Sequence, residues 1–100
     1  MTVVWTEQAA ERLREIEAFV ARDDPRAAAR LVDRLIARGD ALARHPDRGR
    51  RVPELPDSGL RELIVGNYRV VYRRTSEAVE VLTVFEGHRR LPGHELSDDK

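Results

Sequence analysis

The chain contains no cysteine, so neither disulfides nor a thiolate zinc site can staple it, and an apolar core must carry the fold. Lysine is nearly missing too: of 18 basic residues, 17 are arginine and Lys100 is the lone lysine. Arginine suits bidentate contact with carboxylate or phosphate, yet it stays charged and makes a poor proton carrier. No apolar run approaches the roughly 20 residues that span a bilayer. The opening MTVVWTEQAAERL lacks the basic start and long apolar centre of a signal peptide, so a soluble cytoplasmic protein with no membrane partner is expected. The three histidines, His45, His88 and His94, form no HExxH pair, no glycine-rich loop joins a strand to a helix start, and Ser58, Ser76 and Ser97 sit in no nucleophile elbow. Metal, nucleotide cofactor and serine-hydrolase chemistry are therefore not expected.

With 100 residues the chain is long enough for a single domain, 1–100, that buries about two thirds of its unfolded surface. Net charge is zero, but residues 44 to 74 hold eight arginines against four acids, a local basic excess suited to nucleic acid or an acidic partner.

Residues 2 to 5, TVVW, are β-prone, and Thr6 then serves as N-cap with Glu7 in the first turn. Ala9, Leu13, Ile16 and Val20 recur at helical spacing as far as about Arg22. Asp24-Pro25 restarts the chain as N-cap and first helical residue of a second helix carrying Ala28, Leu31, Val32, Leu35, Ile36 and Leu42. Gly39 inside it costs about 1 kcal/mol relative to alanine, which predicts a bend or early fraying there. HPDRGRRVPELPDSG has no periodicity and reads as a loop. The period then changes to 2: residues 60–65, 68–73 and 79–85 read as strands, with tight turns at Gly66-Asn67 and Ser76-Glu77. The tail from about 93 to 100 is polar and expected to be mobile. The pattern is an α+β fold, β-α-α-β-β-β, with a helical hairpin packed on one face of a mainly antiparallel four-stranded sheet.

Those turns would set Tyr72 opposite Val81, Val70 opposite Thr83 and Tyr68 opposite Phe85. Leu63, Val65, Tyr68, Val70, Tyr72, Val79, Val81 and Phe85 would then face the helices. The other face, with Arg69, Val71, Arg73, Leu82, Val84 and Glu86, is expected to be open and to receive a partner. One enzymatic option fits these residues: metal-free RNA cleavage, in which the ribose 2′-OH attacks the adjacent phosphate. Glu86 or His88 could then act as base or acid, with Arg69, Arg73 and Arg89 as cationic clamps.

The opening WTEQAAERL, the DDPRAA helix restart, the HPDRGR loop, the RELIV–YRVVYR pair and the closing HRR occur in an order that resembles the RelE/ParE superfamily of toxins from type II toxin–antitoxin systems. The resemblance covers essentially the whole chain and implies the same β-α-α-β-β-β fold. It also implies a cognate antitoxin as partner in a hetero-oligomer. RelE-like members cut mRNA on the ribosome with basic residues, typically with a tyrosine or histidine. Carried over by position, their arginines fall on Arg69 and Arg89, with His88 as proton carrier. ParE-like members poison DNA gyrase and usually lack the ribonuclease set. This chain has no lysine in the second strand and no tyrosine after Tyr72, and its long helical hairpin is ParE-like, so the resemblance leans toward a non-enzymatic gyrase poison. The alternatives are a ribosome-dependent endoribonuclease using Arg69, His88, Arg89 and Glu86, and an antitoxin-binding module without toxicity. Arg69, Val71, Arg73, Leu82 and Val84 are the expected antitoxin- or target-binding residues.

Overall fold

A computed structural model describes residues 1–87. His88, Arg89 and the expected mobile tail at 93–100 lie outside the described residues. In chain order the elements are strand β1 (Thr2–Trp5), helix α1 (Glu7–Ala21), helix α2 (Pro25–Asp40), a 3₁₀ turn (Ala41–Ala43), and strands β2 (Arg50–Arg51), β3 (Arg61–Val65), β4 (Tyr68–Arg74) and β5 (Ala78–Glu86). They form one sheet in the order β1-β5-β4-β3-β2, with β1 parallel to β5 and the other pairs antiparallel. The α+β arrangement matches the sequence reading. The fifth strand, β2, is a two-residue pairing inside the expected loop, too short to leave any periodicity.

Both caps act as their residue types dictate. The Thr6 hydroxyl accepts the Ala9 amide at 3.1 Å and itself lies 2.8 Å from the Val81 carbonyl and 3.2 Å from that of Leu82, tying the start of α1 to β5. The Asp24 carboxylate accepts the amides of Arg26 and Ala27 at 3.1 Å, and Pro25 fills the first position of α2. The α-helix ends close to Gly39, at Asp40 one residue beyond it, where the 3₁₀ turn takes over. A Cβ at Gly39 would lie 2.4 Å from Trp5 Cζ2. Glycine is required there because the indole packs directly on the helix backbone, its Nε1 donating to Asp40 Oδ1 at 2.9 Å.

The β3–β4 turn is as expected: Gly66 has φ of 59°, Val65 pairs with Tyr68, and Leu63 with Val70. The β4–β5 register departs from expectation after one pair. Tyr72 faces Val81, but Val71 faces Thr83, so Leu82 is an extra residue in β5 without a partner in β4, a β-bulge. Val70 therefore pairs with Val84 instead of Thr83, and Tyr68 with Glu86 instead of Phe85. Beyond the bulge every side chain of β5 changes face. Val84 joins Ala9, Leu13, Leu35, Leu42, Val65 and Tyr72 in the core beneath the helices, whereas Phe85 turns to the opposite face.

That opposite face is not open, contrary to the expectation. Residues 52 to 60 fold across its centre, and Val52 and Leu60 pack with Val71 and Phe85 in a second apolar cluster, with Leu82 at its border. Val52 and Val71 are fully buried. The Tyr72 hydroxyl anchors the start of this excursion from the helix side, donating to the Pro46 carbonyl at 2.8 Å and accepting from the Gly49 amide at 2.9 Å.

Candidate functional site

Arg69 sits in β4, between Ile64 of β3 and Phe85 of β5, and points under the covering loop. Only 4% of it is exposed, which requires that its charge be met. Its Nε donates to Glu62 Oε1 at 2.7 Å, and its two terminal nitrogens reach the two oxygens of Glu54 at 2.8 and 2.7 Å. One terminal nitrogen also lies 2.6 Å from Glu62, and the other 3.4 Å from the Gly87 carbonyl. All five N–H groups of the guanidinium therefore have acceptors within reach. The Phe85 ring lies 5.3 Å from the guanidinium carbon, a cation–π distance.

The network continues outward. Glu62, 1% exposed, offers its second oxygen to Arg50 Nε at 2.7 Å on β2. Arg50, Glu62, Arg69 and Glu54 thus alternate in sign and sum to zero, linking three strands and the loop. The hydrogen bond from Arg69 holds the Glu54 carboxyl down at about 2 despite the opposing effect of burial. Arg69 itself is pushed above its ordinary value, chiefly by Glu54.

The expected site residues separate into two groups. Arg69, Val71 and Arg73 share the loop-covered face, with Leu82 at the border of its apolar cluster, and Arg73 is ion-paired with Glu80. Val84 and Glu86 lie on the helix face, so Glu86 and Arg69 do not converge as an acid–clamp pair. Glu86 instead borders a groove of about 250 Å³ between α1 and the ends of β4 and β5, with Arg12, Ile16, Phe19 and Tyr68. Phe19 is 67% exposed at its rim. Sequence reasoning missed the roles of Glu54 and Glu62. Glu62 falls on the right face by alternation, whereas Glu54 lies in an aperiodic loop with no signal. Among the described residues, no group of three or more His, Cys, Asp or Glu could hold a metal ion.

The family model for the ParE toxin of type II toxin–antitoxin systems matches residues 3–91. This chain belongs to the RelE/ParE superfamily of type II toxins. The toxin is similar to Y4kP of Sinorhizobium fredii, 42% identical over 92 residues, covering 88% of this chain and 90% of that protein. It is also similar to Toxin RelE2 of Caulobacter vibrioides, 41% identical over 63 residues, with 63% and 67% covered. Its fold matches a chain of the chromosomal ParDE system of P. aeruginosa with a TM-score of 0.72 at 21% identity, covering 86% and 95%. It also matches a chain of the RelBE2 toxin–antitoxin complex of Mycobacterium tuberculosis, with a TM-score of 0.58 at 31% identity, covering 85% and 95%. Both branches of the superfamily are thus among the relatives of the toxin. No helix among its described residues is long and apolar enough to cross a membrane.

Proposed function

We propose that this toxin inhibits growth by poisoning DNA gyrase without cutting RNA, and that a cognate antitoxin neutralises it. The observation that carries this reading is the state of Arg69. The arginine that would clamp a scissile phosphate has its N–H groups directed at Glu62, Glu54 and the Gly87 carbonyl. A phosphate could reach it only by displacing Glu54 and uncovering a buried charge. Glu86, the other described member of the candidate ribonuclease set, lies on the opposite face. The match to the ParE family over residues 3–91 supports the same branch.

For the antitoxin, the loop-covered face is a poorer receptor than the groove between α1 and the sheet. There Ile16, Tyr68 and the exposed Phe19 form an apolar floor and rim, flanked by Arg12 and Glu86. An amphipathic segment with charges of both signs at its edges fits that lining.

The relatives named RelE2 and RelBE2 keep a ribosome-dependent endoribonuclease as the second reading. Antitoxin-free toxin should be assayed in parallel for gyrase supercoiling and for translation-dependent mRNA cleavage. We expect lost supercoiling and intact message. Cleaved message that becomes intact with His88→Ala would overturn the gyrase reading, and loss of neither would leave a binding module without toxicity.

A further inference from the structure

Helix α2 carries arginines at positions 26, 30, 34 and 38, each four residues from the next. Residues four apart fall on one side of a helix with a rise of about 6 Å, so the four form a slowly winding row about 18 Å long. All four are exposed, on the side away from the buried Ala28 and Leu35. Among the described residues no hydrogen bond or ion pair engages any of their guanidinium groups; the Arg26 backbone amide alone serves the Asp24 cap. Arg34 reaches over the β3–β4 turn, 3.7 Å from where a Cβ at Gly66 would stand.

Only Arg38, in the last turn of α2, complements the helix dipole. Like charges four residues apart destabilise a helix, and Arg26 in the first turn opposes the helix dipole. Helix α1 shows the ordinary alternative: Arg12 pairs with Glu15, and Arg14 with Glu11 at 2.7 Å. On α2 the acids are Asp33 and Asp40, and Asp40 already accepts the Trp5 indole.

We infer that the arginine row of α2 is a docking surface for the phosphate backbone of duplex DNA. Two features favour a polyphosphate over an acidic protein. The row is regular and built wholly of arginine, which meets phosphate bidentately. A protein interface also needs apolar anchors, and the large exposed hydrophobics among the described residues, Met1, Val4, Phe19, Leu55 and Ile64, all lie off α2. The choice of DNA as the source of phosphate rests on the gyrase reading.

The test is the salt dependence of binding between the full-length toxin and a labelled DNA duplex of about two helical turns, read by fluorescence anisotropy. Four phosphate contacts give a slope of log K against log salt of about −3.6, or about a hundredfold loss of affinity between 50 and 200 mM salt. Replacing arginines 26, 30, 34 and 38 together by glutamine, which keeps helix propensity, should abolish that component. The pair Arg30→Gln and Arg34→Gln should remove about half of it, and four lysines should retain it. An unchanged slope in the glutamine variants overturns the inference. So does tighter binding of an RNA duplex of the same length, or of polyglutamate at equal charge. Gyrase inhibition is measured on the same variants: DNA binding lost by the row variant in a toxin that never inhibits gyrase sinks the functional reading alone, whereas gyrase inhibition with an unchanged slope sinks the docking surface alone.

Discussion

The two faces of the sheet are closed by different physics. On the helix side, Ala9, Leu13, Leu35 and Leu42 pack against Leu63, Val65, Val70, Tyr72 and Val84, a layer sealed mainly by apolar contact. On the loop side a small cluster of Val52, Leu60, Val71 and Phe85 sits beside a four-charge chain whose central pair, Glu62 and Arg69, is buried. Apolar packing is non-directional and loses stability in proportion to the atoms removed. A buried ion network is directional, and its parts depend on one another: removing one charge leaves its partner stranded, yet removing both can cost little. The faces should therefore respond differently to the same kind of perturbation.

The largest effect expected is from Arg69→Ala. It leaves Glu62, 1% exposed, without its principal buried counter-charge, and should destabilise the fold by about 3–5 kcal/mol in urea melts. Leu35→Ala on the helix side should cost a comparable 2–5 kcal/mol through cavity formation. The contrast lies in rescue. Replacing Arg69 and Glu62 together by methionine and leucine should recover most of the loss, as apolar substitutes do in other buried ion networks. If the double variant is as unstable as Arg69→Ala, the network contributes net stability and the two faces are more alike than their chemistry suggests.

Gly39→Ala probes the helix side from the opposite direction, by adding an atom. Propensity alone would make this substitution stabilising by about 1 kcal/mol. The new Cβ would stand 2.4 Å from the Trp5 ring, so overpacking should instead cost about 1–3 kcal/mol, measured by thermal or urea unfolding. A stabilised variant would mean that the Trp5 ring yields easily and that this side tolerates volume change.

The same glycine shows what the sequence could and could not disclose. Helix caps at Thr6 and Asp24, the 3.6-residue period and the Gly66-Asn67 turn are local signals, and each placed its element correctly. Gly39 is explained by a tryptophan 34 positions away, which no local pattern records. Apolar residues on both faces of β5, at Val81, Leu82, Val84 and Phe85, made alternation ambiguous there and concealed the bulge. The loop that closes the second face carries Glu54 in a stretch without period. The candidate site was thus legible as a set of arginines on β4, but the acids that hold Arg69 were not.

The smallest effect expected separates the loop side from the helix side by pH. Glu54 has its carboxyl held at about 2, below its ordinary 4.5, because Arg69 donates to the ionised form. A lowered folded-state value means that the stabilisation is complete above the unfolded value and lost as pH falls toward 2. Glu54 is about half exposed, so solvent screening keeps the contribution small. In Glu54→Gln, the deficit relative to wild type should be constant above pH 5, shrink between about 4.5 and 2, and change little with pH below that. Urea midpoints of the two proteins across that range measure it, with Leu35→Ala as the helix-side comparison, whose deficit should be nearly independent of pH. A Glu54→Gln deficit equally flat with pH would show that the loop is held by Val52 and Leu60 alone and that the ion pair only decorates it.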